Sequence, residues 1–104
     1  MRESGGWGEN VTDEEIISAM KLMAETEGIF AETAGGVTLG STIKLIESGR
    51  ISRDESIVIC VTGNGLKTQE ALAGKINQPT IINARLQEFD DLVKAAGKEY
   101  AVKA

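Results

Sequence analysis

Residues 56–67 read SIVICVTGNGLK, an apolar run that breaks into a turn with two glycines flanking Asn64. Positions 57–61 are apolar without interruption and β-branched except at Cys60. Continuous rather than alternating apolarity suits a strand covered on both faces, as in a parallel α/β sheet. In open parallel sheets, ligands bind beyond the carboxyl ends of the strands. Thr62, Gly63, Asn64 and Gly65 follow such an end directly. Glycine there admits positive φ and lets a ligand approach the main chain. The same four residues also suit a plain turn, in which asparagine is common. The stretch thus sets an α/β fold class and leaves two readings of its own role.

Upstream, Thr12 is an N-cap, and Glu15 three residues later completes a capping box. Val11 and Ile16 flank the cap as a hydrophobic staple. Ile16, Met20 and Met23 share one face beside Ala19 and Ala24, and Gly28 ends the helix. The two methionines read as core filler. Residues 29–32 form a short extended piece, and TAGG at 33–36 turns into a second helix over about residues 37–47. Leu39, Ile43 and Ile46 make its stripe, and Gly49 stops it. Gly40 inside it costs about 1 kcal/mol relative to alanine, a cost that close helix packing would offset.

Downstream of the glycine turn, Thr68 caps a short third helix through Ala73. Pro79 opens an extended piece, TIINA, and a last helix carries Leu86, Phe89, Leu92, Val93 and Ala96 at helical spacing. The expected order is α-β-α-β-α-β-α with very short strands. Residues 1–11 read as a flexible arm, 12–97 as the body and 98–104 as a frayed tail.

Composition narrows the function. A chain of 104 residues is one domain or part of one. Its four aromatic residues, Trp7, Phe30, Phe89 and Tyr100, leave a core of small aliphatic side chains. Sixteen acidic and eleven basic residues, mixed along the chain, give a net charge of −5 and no basic stripe to neutralise phosphates. Nucleic-acid binding is therefore not expected. No apolar run approaches the roughly 20 residues needed to span a bilayer. The N-terminus, MRESGGWGEN, lacks the apolar segment of a signal peptide, which makes the cytoplasm the expected location. Cys60 has no cysteine partner and reads as a small buried apolar residue. The absence of histidine removes Ser-His and Cys-His catalysis and most zinc sites, so no metal is expected.

A second candidate junction is AETAGG at 31–36. The amides of Ala34, Gly35 and Gly36 would point outward from a helix N-terminus, which favours anions. Glu32 beside them is either a polar ligand contact or a solvated carboxylate, and on its own the solvated reading is preferred. Lys67 reads as a surface lysine opening a helix rather than as a Schiff-base lysine.

The two junctions, in this order and spacing, resemble one family. EEII..AMKLMAETEGIFAETAGGVTL followed by GRI..DESIVICVTGNGLK is similar to the C-terminal part of threonine synthase, from about Gly5 to Lys67 and less distinctly to the end. The pairing of EGIFAE with VTGNGLK is specific, whereas threonine dehydratases and cysteine synthases share only its outline. The resemblance implies a pyridoxal-phosphate lyase of threonine biosynthesis with the tryptophan-synthase-β-like fold. Here the chain would be a partial three-layer piece of the large domain, with helices flanking short parallel strands.

The family's reaction converts O-phosphohomoserine and water to threonine and phosphate. By resemblance, Thr62 matches the hydroxyl residue set against the pyridine nitrogen of the cofactor. Gly63, Asn64 and Gly65 match the loop along the ring edge, and Glu32 and Ala34 match the turn lining its far side. Thr33 stands where many relatives have proline, and Gly35-Gly36 replaces a small-residue pair.

The family's Ser-Phe-Lys-type motif, whose lysine binds the cofactor, and its phosphate-cradling glycine loop do not occur in these residues. The resemblance therefore implies a fragment that carries no catalytic residue, binds no cofactor tightly and is inactive alone. Its partners would be the remainder of the enzyme chain and further copies in a homo-oligomer. Two other readings are a free-standing, non-catalytic module that binds a ligand or partner, and a piece of threonine dehydratase.

Overall fold

The computed structural model describes residues 3–97. It contains helices α1 (Asp13–Glu27), α2 (Thr33–Glu47) and α3 (Leu86–Ala96), with two 3-10 turns, Gly65–Lys67 and Gln69–Leu72, between the last two helices. The tail expected at 98–104 lies outside the described residues.

The start of α1 is set as its sequence dictates. Thr12 is extended (φ −79°, ψ 166°), and its hydroxyl accepts the Glu15 N–H at 3.3 Å. Glu15 Oε2 in return accepts the Thr12 N–H at 2.7 Å. Asp13, Glu14 and Glu15 place negative charge on the positive end of the helix dipole. Gly28 closes the helix in the left-handed region at φ 68°.

Helix α2 begins four residues before the expected Val37, because the TAGG segment is itself helical. It packs on α1 through two glycines one turn apart. A Cβ on Gly36 would lie 2.8 Å from the Ile16 carbonyl oxygen, and one on Gly40 would lie 3.1 Å from Val11 Cγ1. The backbones therefore approach closely at Gly36, whereas at Gly40, where close helix packing was expected, the tight contact is a side-chain methyl of Val11. Met20 is fully buried at this contact, with Ala19, Met23, Ala31 and Leu72 completing a small core. Segment 3–11 follows α2: Ser41 Oγ donates to the Glu9 carbonyl, Lys44 Nζ to that of Asn10, and the Arg50 guanidinium lies 3.9 Å above the Trp7 ring.

The strands are where the sequence expectation and the structure part. Among the described residues no β-ladder forms, and the one pairing is an isolated antiparallel bridge between Ala31 and Asn64. Segment 57–61 runs without a partner, with Val58 90% exposed. Cys60 is exposed rather than buried. The same holds for TIINA, where Ile81 is 95% exposed. A strand needs neighbours to satisfy its edges and cover its faces, and these residues offer none. Of the expected alternation, the helices are present. The third helix, expected from Thr68 through Ala73, is reduced to the 3-10 turn Gln69–Leu72, and the Thr68 side chain makes no cap bond to it. Helix α3 forms where expected but buries none of its residues.

Candidate functional site

The two glycine-bearing junctions, distant in sequence, meet in space. The Glu32 N–H donates to the Gly63 carbonyl at 3.0 Å, and the Gly65 N–H donates to the Phe30 carbonyl at 2.9 Å. These bonds flank the Ala31–Asn64 bridge, and Ala31 is wholly buried beneath it. Asn64 is extended, and its Oδ1 accepts the Leu66 N–H at 2.9 Å, starting the 3-10 turn. That turn brings Lys67 and Thr68 back over the other segment. Lys67 Nζ lies 3.0 Å from Glu32 Oε2, and Thr68 Oγ1 accepts the Thr33 N–H at 3.1 Å.

The reason for the two glycines is space, not the positive φ that the sequence invites. Positive φ among the described residues falls at Gly5, Gly28, Gly49 and Gly74, and not in this loop. A Cβ on Gly63 would overlap the Glu32 carboxylate, and one on Gly65 would sit 2.5 Å from the Phe30 ring. Each glycine therefore leaves room for a side chain from the neighbouring segment. Glu32 is accordingly not a solvated carboxylate: its side chain is 15% exposed and ion-paired. Nor do the Gly35 and Gly36 amides point outward, since both donate to the Glu32 carbonyl, at 2.9 and 3.3 Å.

Of the six residues singled out by resemblance, Glu32, Gly63, Asn64 and Gly65 are held together by this pairing. Thr62 and Ala34 adjoin it and are both exposed. The Thr62 hydroxyl has no protein partner among the described residues. Sequence reasoning missed Phe30 and the parts that Lys67 and Thr68 play here. A large side chain preceding Ala31 and a hydroxyl after the glycine turn give no local signal of a contact so far along the chain.

Chemically, the junction offers the uncommitted neutral hydroxyls of Thr62 and Thr33 and an internally balanced ion pair set over Gly63. Among the described residues no cluster of three or more histidine, cysteine, aspartate or glutamate side chains could hold a metal ion. No helix among them is long and apolar enough to cross a membrane.

Residues 1–63 match the family model described as pyridoxal-phosphate dependent enzyme. The chain is similar to a threonine synthase from Methanocaldococcus jannaschii, 43% identical over 91 residues, which is 88% of this chain and 22% of that protein. It is also similar to a threonine synthase from Methanosarcina acetivorans, 37% identical over 98 residues, covering 94% of this chain and 24% of that protein. A third relative, the threonine synthase of Bacillus sp., is 39% identical over 94 residues, 88% of this chain and 26% of that protein. The chain thus spans about a quarter of the length of the curated relatives it matches.

Proposed function

The chain belongs to the pyridoxal-phosphate-dependent enzymes, and from that premise we propose that it is part of a threonine synthase and supplies one wall of the cofactor site. The observation that carries this reading is the backbone pairing of residues 30–32 with 63–65. It brings Glu32, Gly63, Asn64 and Gly65 together, with Thr62 and Ala34 beside them, and these are the residues that the family resemblance assigns to the ring.

The donor set fits such a ring. Thr62 offers a neutral, exposed hydroxyl, able to give or accept one hydrogen bond at a pyridine nitrogen without forcing its protonation. The side-chain positions of Gly63 and Gly65 are filled by Glu32 and Phe30, so a flat ligand on that side would meet the Glu32 carboxylate and the Phe30 ring beside the loop. Thr62 would hold the ring nitrogen, Gly63, Asn64 and Gly65 would follow its edge, and Glu32 and Ala34 would line the far side. When bound, pyridoxal phosphate supplies an electron-withdrawing ring that stabilises a carbanion formed beside the substrate amine.

The reaction of the longer protein is then conversion of O-phosphohomoserine and water to threonine and phosphate. Residues 12–97 form the C-terminal portion of its large domain, and the lysine that takes the cofactor comes from a segment beyond these residues. The 104 residues alone are inactive. In the longer protein, segment 57–61 takes its place as a covered parallel strand, and the enzyme is a cytoplasmic homo-oligomer.

Thr62→Val in that enzyme keeps the shape and deletes one polar contact. The expected loss is about 1–3 kcal/mol of transition-state stabilisation, the usual cost of leaving a buried polar group unpaired. Thr62→Ser is expected to be much milder. Steady-state turnover of O-phosphohomoserine together with a cofactor titration measures both. Wild-type turnover with unaltered cofactor affinity in the valine variant would sink the assignment.

A further inference from the structure

Two facts about the Glu32 turn stand outside the wall just described. Glu32 occupies the N-cap position of α2, yet its side chain makes no capping bond there. Its carboxylate lies instead in the space left by the missing Cβ of Gly63, paired with Lys67. The first amide of α2, on Thr33, is capped from the other segment by the Thr68 hydroxyl. The two residues that end the glycine turn thus divide one task. Lys67 draws the carboxylate away from the helix end, and Thr68 supplies the cap that Glu32 does not.

We propose that Lys67 and Thr68 are positioning residues that latch the Glu32 turn against loop 62–65 and so fix the shape of the cofactor wall. The proposal rests on the function argued above. Its physics is that a mostly buried carboxylate without a partner is driven toward water. Without Lys67, Glu32 would leave the space over Gly63, and nothing else charged is shown to hold it there. Asn64 acts upstream of the latch. By capping the 3-10 turn at Leu66 it sets the direction in which residues 67 and 68 return. Lys67 itself is 66% exposed, which limits the strength of the pair. The latch is a modest bias on one geometry.

Amide hydrogen exchange on the isotope-labelled chain, without cofactor, tests this. Lys67→Met is expected to speed exchange at Glu32, Thr33 and Gly65 about fivefold while leaving the α1 amides unchanged. It should also move the Gly63 amide resonance, and Lys67→Arg should restore both. Thr68→Val should act mainly at Thr33, with recovery in Thr68→Ser. Adding Glu32→Gln to Lys67→Met should cause little further change, because the two side chains act as one unit. Wild-type rates in Lys67→Met, equal acceleration of all amides, failure of arginine to rescue, or additive losses in the double variant would each overturn the proposal. No cofactor enters the measurement, so its failure removes the latch alone, whereas a silent Thr62→Val removes the functional reading and leaves these rates untouched.

Discussion

Gly36 is the residue on which the α1–α2 contact turns. A Cβ there would press 2.8 Å from both the Ile16 carbonyl oxygen and Met20 Cγ. The methionine can yield, but the carbonyl moves only with its helix. Alanine would gain about 1 kcal/mol of helix propensity. Overpacking against backbone costs about 1–3 kcal/mol, which outweighs that gain. Gly36→Ala is therefore expected to lower stability by up to about 2 kcal/mol in urea titrations. Gly40→Ala, whose one tight contact would be a movable Val11 methyl at 3.1 Å, should be neutral or stabilising. A stabilised Gly36→Ala would refute the packing argument. Gly40 was legible in the sequence because a glycine inside a helical stripe demands a reason. Gly36 was hidden in what read as a turn before the helix. Gly63 and Gly65 could be seen to matter, but their partners Glu32 and Phe30 belong to another segment, and no local pattern names them.

The N-terminus of α1 shows an element whose chemistry is wholly local, and there the sequence was sufficient. Thr12 and Glu15 make the capping box that their spacing announces, and Lys44 on α2 closes on Glu15 at 3.2 Å. The Thr12 N–H first, and then the Lys44 ammonium, hold the Glu15 carboxyl below its usual value of 4.5. A carboxyl whose folded value is depressed contributes stability above its unfolded value and loses it as pH falls through the folded one. The bond from α1 to α2 is therefore expected to be intact at neutral pH and to weaken progressively below about pH 4.5. Glu15→Gln should remove this part of the acid sensitivity. Denaturant midpoints across pH 3 to 7, about the range in which a carboxylate titrates, measure it. Superimposable curves for the two proteins would count against the assignment. Segment 57–61 is the opposite case. Its apolar run records the surroundings the segment is suited to, but a ladder also needs a partner strand, and the described residues hold none. Helix α3 is legible for the same reason as α1, from its spacing, while what covers its apolar face is not.

At the scale of the molecule, the radius of gyration is 18.7 Å and the extents are 65 × 32 × 19 Å. A compact domain of this length would measure about 13 Å. The difference lies in where the apolar surface is. Val58 and Ile81 are almost bare, and Leu86, Phe89 and Val93 face outward on α3. Buried apolar area is worth about 25 cal/mol per Å², so leaving this much in water is a standing drive toward association. The unpaired backbone of segment 57–61 adds a directional component, because a second chain can satisfy its free edge. The chain spans about a quarter of its curated relatives, so in proteins of their length other segments are available to cover these surfaces. On its own, the chain is expected to hide them against a second copy, by pairing the edges of 57–61 or by exchanging a helix. Sedimentation velocity over a wide concentration range should then show mass rising with concentration. Val58→Lys combined with Ile81→Lys should shift the chain toward monomer, while neither side chain touches the α1–α2 core. A compact monomer at every concentration would be the decisive contrary result, since it would require the exposed side chains to find cover within a single chain.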